Sequence, residues 1–261
     1  MRVGLGQMLV EAGRYDENLD RAADMGRRAA EERCDVLVLP ECLDAGWTNP
    51  AAGEFATALR GPTTDRLADI AATYGLMVAA GFTERSGRDI YNAAVLIDAS
   101  GEIIGHHRKI RELDFALQIY SPGETLSVAH TAFGPVALNI CADNLYSSTL
   151  AGALSVMGAR ILLSPSAWAV ATDRDTAVEP YDGWIVSYRD IASRTGLPTV
   201  GVSNVGPITA GEWTGAVCIG SSVAVGADGT VLAQAPYGVD EVAMVAVDVP
   251  LRSPHYRDRD W

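Results

Sequence analysis

The chain is poor in positive charge: 20 Lys and Arg stand against 33 Asp and Glu, for a formal net charge of −13. Such a balance repels phosphate backbones and anionic lipid heads, and no basic stripe overrides it locally, so neither nucleic acid nor a membrane is expected as a partner. Long apolar runs are also missing. Hydrophobic residues make up 48% of the 261 positions, but they come in short stretches broken by Gly, Pro or charge, none long enough to cross a bilayer. The start, "MRVGLGQMLVEAG", lacks the cationic region, apolar stretch and small-residue cleavage site of a secretory signal. Cysteine is sparse and scattered: Cys34, Cys42, Cys141 and Cys218 form no CxxC pair and have no histidine at metal-ligand spacing. Neither a disulfide framework nor a metal site is expected, and the chain reads as cytoplasmic and reduced. The pieces "GLGQ" and "VGADG" lack GxGxxG spacing, so no dinucleotide cofactor is implied.

What is present is alternation of strand and helix. "RVGLGQM" reads as a strand, and the stretch "YDENLDRAADMGRRAAEERC" then puts Leu19, Ala22, Ala23, Met25 and Ala29 on one helical face. The apolar run "DVLVLPE" is a buried strand, followed by the helix "TTDRLADIAATYG", the strand "LMVAAGFTER" and a hairpin turning at "DASG". The second half repeats the rhythm with strand "PVALNIC", helix "STLAGALSVMGA", strand "RILLSPSAW" and helix "GWIVSYRDIASRTG", then a run of strands. Buried strands alternating with amphipathic helices predict an α/β fold of sheets layered against helices. No composition shift marks a linker and no short repeat is visible, so residues 1–261 read as one domain.

Three strand ends finish in a reactive side chain: "VLVLPE" in Glu41, "IIGHHRK" in Lys109 and "VALNIC" in Cys141. Strand ends in layered α/β folds are where catalytic groups gather, because the sheet fixes them while the next loop opens to substrate. Cys141 taken alone reads first as a small buried hydrophobe, the commoner role of a cysteine after a strand. Glu41 and Lys109 are harder to dismiss, since a charge closing an apolar strand is costly without a partner and each supplies one to the other.

On "LVLPE", "HHRK" and "NICAD", with "LLSPSAW" and "IGSSVAVGADGTVLAQA" following in order, the sequence resembles the nitrilase, or carbon–nitrogen hydrolase, superfamily over nearly its whole length. The resemblance implies a four-layer αββα sandwich and a cofactor-free thiol hydrolase. Cys141 would attack a carbonyl or nitrile carbon, Glu41 would act as general base, and Lys109 would stabilise the oxyanion together with the Ala142 N–H. Such chemistry needs both partners, because a thiol of ordinary pKa is mostly protonated at neutral pH.

The sequence departs from the family in two places. Relatives carry a second glutamate before a Pro-Gly such as Pro122-Gly123, but counting back through "IRELDFALQIYSPG" lands on Ala116 or Gln118. Glu112 and Asp114 are the nearest carboxylates. After the cysteine, "CADNLYSST" replaces the family's aromatic and Pro-Glu, with Ser148 or Thr149 left to cap the next helix. By resemblance, Glu112, Asp143, Asn144, Tyr146 and Trp168 fall on the substrate side, Trp168 as pocket wall or as core.

The other candidates have blander readings. His106 and His107 point to opposite faces of a strand and cannot share an ion, and Cys42 points away from Glu41. "AVATDRDTAVEPYDGW" carries Asp173, Asp175, Glu179 and Asp182 before a helix, either as a solvated face or as a loop favouring an amine-bearing substrate.

The expected activity is cleavage of a non-peptide C–N bond in a small amide or N-carbamoyl compound. Acyl transfer from the same thioester and a degenerate binding scaffold are the alternatives. The resemblance also implies a homodimer or higher homo-oligomer, and the tail "PLRSPHYRDRDW" ends in an aromatic that could reach a neighbour.

Overall fold

A computed structural model describes residues 1–145, 147–171 and 183–253. Short β-branched and aliphatic runs fold into two six-stranded sheets and one small sheet. The first sheet holds β1 (Arg2–Gln7), β2 (Val36–Val38), β3 (Met77–Ser86), β4 (Asp89–Ile97) and β5 (Ile103–Arg108). The second holds β6 (Val128–Thr131), β7 (Gly134–Leu138), β8 (Ile161–Ser166), β10 (Thr199–Ser203), β13 (Val223–Val225) and β14 (Val231–Gln234). Strands β9 (Ala169–Val170), β11 (Val205–Pro207) and β12 (Val217–Ile219) make the small sheet, and β15 (Ala243–Asp248) returns to flank β1. The two large sheets run in the orders β15-β1-β2-β3-β4-β5 and β14-β13-β10-β8-β7-β6.

Each large sheet has a parallel centre and antiparallel edges. Leu5 pairs with Val38 and Val38 with Ala79 in the first, and Leu138 pairs with Leu163 in the second. The sheets pack face to face through β1 against β10, β2 and β3 against β8, and β4 and β5 against β7. Helices α1 (Tyr15–Glu31) and α3 (Pro62–Tyr74) cover the outer face of the first sheet, while α4 (Thr149–Val156) and α5 (Gly183–Thr195) cover the second; α2 (Ala52–Phe55) is a single turn beside β3. The layers are therefore αββα.

The cause is visible in the burial pattern. Parallel central strands such as β2 and β8 are buried at every residue, because a sheet or helix layer covers each face. On α1 the faces divide as the periodicity predicts: Leu19, Ala22, Met25 and Ala29 are buried, and Ala23 is half-buried. The hairpin turn at Asp98 forms as expected, with Asp98 Oδ1 accepting from the N–H groups of Ser100 at 2.8 Å and Glu102 at 3.1 Å. One local expectation fails. Neither Ser148 nor Thr149 caps α4; Ser147 Oγ accepts the Thr149 N–H instead, at 3.2 Å. Ser148 sits at φ −80°, ψ 10°, outside the extended geometry that aims an N-cap hydroxyl at the first turn.

All four cysteines are free and buried. Among the described residues no helix is long and apolar enough to cross a membrane.

Candidate active site

The ends of β2, β5, β7 and β8 meet at one point. Glu41 lies three residues past Val38, and its N–H donates to Ser166 O at the end of β8, 3.3 Å away, tying the two sheets together. Gly81 on β3 lets this happen: a Cβ there would lie 2.5 Å from Glu41 Cα and 2.9 Å from Pro40 O, so only glycine leaves room. Lys109 follows β5 directly. Its N–H donates to Asn92 O at 2.8 Å, and its carbonyl accepts the Gly123 N–H at 2.7 Å.

Cys141 follows β7 at a sharp bend. Ile140 is still extended, at φ −132°, ψ 120°, and Cys141 then turns to φ +44° in a short 3-10 turn. A left-handed backbone at a non-glycine residue costs about 1–3 kcal/mol and persists only where the surroundings enforce it. Here the Cys141 N–H donates to Ser164 Oγ at 3.2 Å, while the next N–H, that of Ala142, makes no hydrogen bond among the described residues. The Cys141 thiol lies 4.0 Å from Ala167 O.

The electrostatics follow from burial. Lys109 Nζ donates to Glu41 Oε1 at 2.7 Å, and Asn92 Nδ2 donates to the same oxygen at 2.6 Å. Glu41 Oε2 is buried and has no hydrogen-bond partner among the described residues. Burial alone would lower Lys109, but Glu41 and then Glu112 outweigh it and hold the ammonium well above its ordinary pKa. Burial pushes the Cys141 thiol well up and Glu41 adds to that, against the pull of Lys109. The sulfur is therefore a thiol at neutral pH, beside a carboxylate with a free oxygen and a fixed ammonium. That set can remove a proton from sulfur and place positive charge beside a developing oxyanion.

These groups open on a cavity of about 670 Å³. Lys109, Glu112, Cys141 and Ala142 line it, with Ala167, Ala169 and Val170 from the chain after β8 and Trp184 from α5. Trp47, Phe115 and Trp213 form a further wall, their ring centroids 5.6–5.9 Å apart.

The family model described as carbon-nitrogen hydrolase matches residues 2–254. The chain belongs to the carbon-nitrogen hydrolase family. Among solved structures it is similar to a mutant amidase from Nesterenkonia sp. AN1, which shows the Michael addition of acrylamide at its active site cysteine. The TM-score is 0.81 and the identity 25%, with 96% of this chain and 93% of that one covered. A nitrilase from Pyrococcus abyssi is 27% identical over 256 residues, 96% of this chain and 91% of that protein. The omega-amidase NIT2 of Xenopus tropicalis is 29% identical over 181 residues, 66% of this chain. The match spans 65% of that omega-amidase's length.

Within this carbon-nitrogen hydrolase the residues singled out from sequence divide into three groups. Glu41, Lys109, Cys141 and Ala142 converge, and Glu112 joins them: its side chain is buried, with Oε2 3.7 Å from Lys109 Nζ and no hydrogen-bond partner for either oxygen among the described residues. Burial lifts the Glu112 carboxyl to about 7 against the pull of Lys109, with Glu41 and Asp143 adding to the rise. Ala116 is buried with Tyr120 in an aromatic cluster and Gln118 is exposed, so neither reaches the site.

Asp143, Asn144 and Trp168 do not line the cavity, which corrects their placement on the substrate side. Asp143 faces inward, accepting from His107 Nε2 at 2.8 Å and from the N–H groups of Ile110, Arg111 and Ile140 at 3.1, 2.9 and 3.0 Å. Burial would raise its pKa, but the bond from His107 outweighs it and holds the carboxyl below its ordinary range. Asn144 pairs with Asn139 and donates to Ser164 Oγ at 3.0 Å. Trp168 is core, stacked behind Trp184 at 4.6 Å. Tyr146 and the acidic residues Asp173, Asp175, Glu179 and Asp182 lie outside the described residues. The histidines split as strand geometry requires, His106 to Glu84 at 2.8 Å and His107 to Asp143.

Sequence reasoning missed Asn92 and the aromatic wall. Asn92 sits mid-strand with no local signal. Trp47 and Trp213 come from separate loops and Phe115 from a 3-10 turn, Asp114–Gln118.

Proposed function

We propose that this carbon-nitrogen hydrolase is an amidohydrolase that cleaves a non-peptide C–N bond of a small amide or N-carbamoyl compound through an acyl thioester on Cys141. The observation that carries the reading is the division of labour on Glu41. Oε1 is held by Lys109 and Asn92, which leaves Oε2, buried and without a hydrogen-bond partner among the described residues, as the acceptor for the thiol proton. As the S–H bond breaks, sulfur bonds to the carbonyl carbon, and the oxyanion meets the Lys109 ammonium and the Ala142 N–H. Collapse expels the amine with the proton held by Glu41. Water then gives its proton to Glu41 and attacks the thioester, and the carboxylic acid leaves with Cys141 restored as a thiol. Glu112 serves as the second carboxylate on Lys109 in this reading, in place of one at Ala116 or Gln118.

Ammonia release from a panel of amides tests the proposal. Cys141→Ala should abolish it, and Glu41→Gln should lower kcat by roughly 10²–10⁴, the span of general acid–base catalysis. Lys109→Met should cost at least about 10², as for a lost oxyanion donor. Turnover that persists in Cys141→Ala, or that stays at the wild-type rate in either of the other two, sinks the mechanism.

We also propose that copies pair through the outer face of α4 and α5. There Val156 is 88% exposed, Val186 62% and Met157 44%, a group of apolar side chains on adjoining helices.

A further inference from the structure

The cavity is larger than a minimal amide needs. At about 670 Å³ it falls in the range of about 300–1,000 Å³ that encloses drug-sized ligands. Its ionisable lining is one-sided. Besides the thiol, it holds Lys109, Glu112 and Asp114, and the single cation is consumed: Lys109 is bonded to Glu41 at 2.7 Å and has Glu112 at 3.7 Å. No cationic side chain of the described lining is left over for an anion on the substrate. The chain's acidic balance, 33 Asp and Glu against 20 Lys and Arg, gives a long-range field of the same sign. The remaining lining is apolar, and its largest surfaces are the rings of Trp47, Phe115, Trp213 and Trp184. Trp47 meets Phe115 and Trp213 edge-on, and rings so arranged present flat apolar faces and gaps that suit another ring or a methylene chain.

We propose that the acyl part of the substrate is uncharged and apolar, an arylalkyl chain that runs from Cys141 to the Trp47–Phe115–Trp213 wall, and that amides bearing a carboxylate on the acyl chain are rejected. This rests on the amidohydrolase reading above. A buried carboxylate there would find no cation of the described lining free to pair with it, a large desolvation cost without compensation.

The test compares phenylbutanamide, hexanamide, aminohexanamide and glutaramate. The full-length enzyme is assayed for kcat/KM, and Cys141→Ala is titrated with each amide while the fluorescence of the lining tryptophans is followed. Cys141→Ser repeats the titration should the alanine variant fold poorly. The expected order puts phenylbutanamide first and glutaramate last, on the order of a hundredfold apart in kcat/KM and in affinity. Trp213→Ala should lower the ratio of phenylbutanamide to hexanamide turnover. Glutaramate binding as well as phenylbutanamide would overturn the inference, and so would aminohexanamide outranking both neutral amides. Selective phenylbutanamide binding without turnover of any amide would uphold the pocket assignment and remove the hydrolase reading instead.

Discussion

Replacing Asp143 with asparagine loosens the joint between the lysine strand and the cysteine turn at nearly constant volume. Asp143 Oδ1 accepts from Ile110 N and Arg111 N, and Oδ2 from His107 Nε2 and Ile140 N. An amide keeps one oxygen and turns an NH2 toward the other pair of donors. With the oxygen left on the Ile110 side, His107 can change tautomer and accept, since its Nδ1 is unpartnered, but the buried Ile140 N–H loses its acceptor. An orphaned buried donor costs about 1–3 kcal/mol, and losing charge assistance in the remaining bonds brings the total to roughly 2–4 kcal/mol.

That is a large share of the about 5–15 kcal/mol that holds a domain together. Urea unfolding should show a lower midpoint at unchanged m, and kcat should fall because Lys109 and Cys141 flank the joint. The pH dependence has a definite sign. The folded pKa of Asp143 lies below the ordinary 3.8, so the charged group stabilises the fold above that value and the contribution is lost as pH falls through the lower folded value. The gap between wild type and variant should therefore narrow below about pH 4. A variant within 0.5 kcal/mol of wild type (about the scatter of neutral surface changes) at neutral pH, with unchanged kcat, would refute the clamp.

Three further outcomes follow from the same geometry. Glu112, raised from 4.5 to about 7, is protonated when folded and ionised when unfolded between those values, so its contribution to stability declines as pH rises across that window; Glu112→Gln should flatten both that decline and any inflection of kcat/KM near 7, as read by unfolding and rate profiles. Gly123→Ala should lower Tm, with a loss of about 1–3 kcal/mol, because the added Cβ overlaps the Arg108 carbonyl beside the bond that fixes Lys109. Light scattering should give at least a dimer mass at micromolar concentration, and Val156→Asp should shift it toward monomer; a monomeric wild type would remove the proposed α4–α5 interface.

Much of the architecture was legible because each element repeats its own signal along the chain. Continuous burial of "VLVLP" and "ILLSPS" marks strands covered on both faces, and the α1 stripe marks its helix. The convergence of Glu41, Lys109 and Cys141 was legible for the same reason, since each ends a strand. What adjacency in sequence could not reveal was direction. Asp143 and Asn144 stand beside the nucleophile, but the 3-10 turn aims them inward at Ile140 N and Ser164. Trp168 ends its strand near the cavity, yet Trp184 lies in front of it, a relation set by the packing of α5. The aromatic wall has no periodicity to read at all, because its three rings meet only after separate segments of the chain fold.

The central claim is that Cys141 carries the acyl group. The direct measurement is intact-mass analysis of enzyme mixed with a turned-over amide and quenched in acid during steady state, followed by peptide mapping. A single adduct of the acyl mass on Cys141, released by hydroxylamine and absent from Cys141→Ala, is the predicted result. An adduct on Cys34, Cys42 or Cys218 with Cys141 unmodified, or amide turnover that persists in Cys141→Ala, would contradict it.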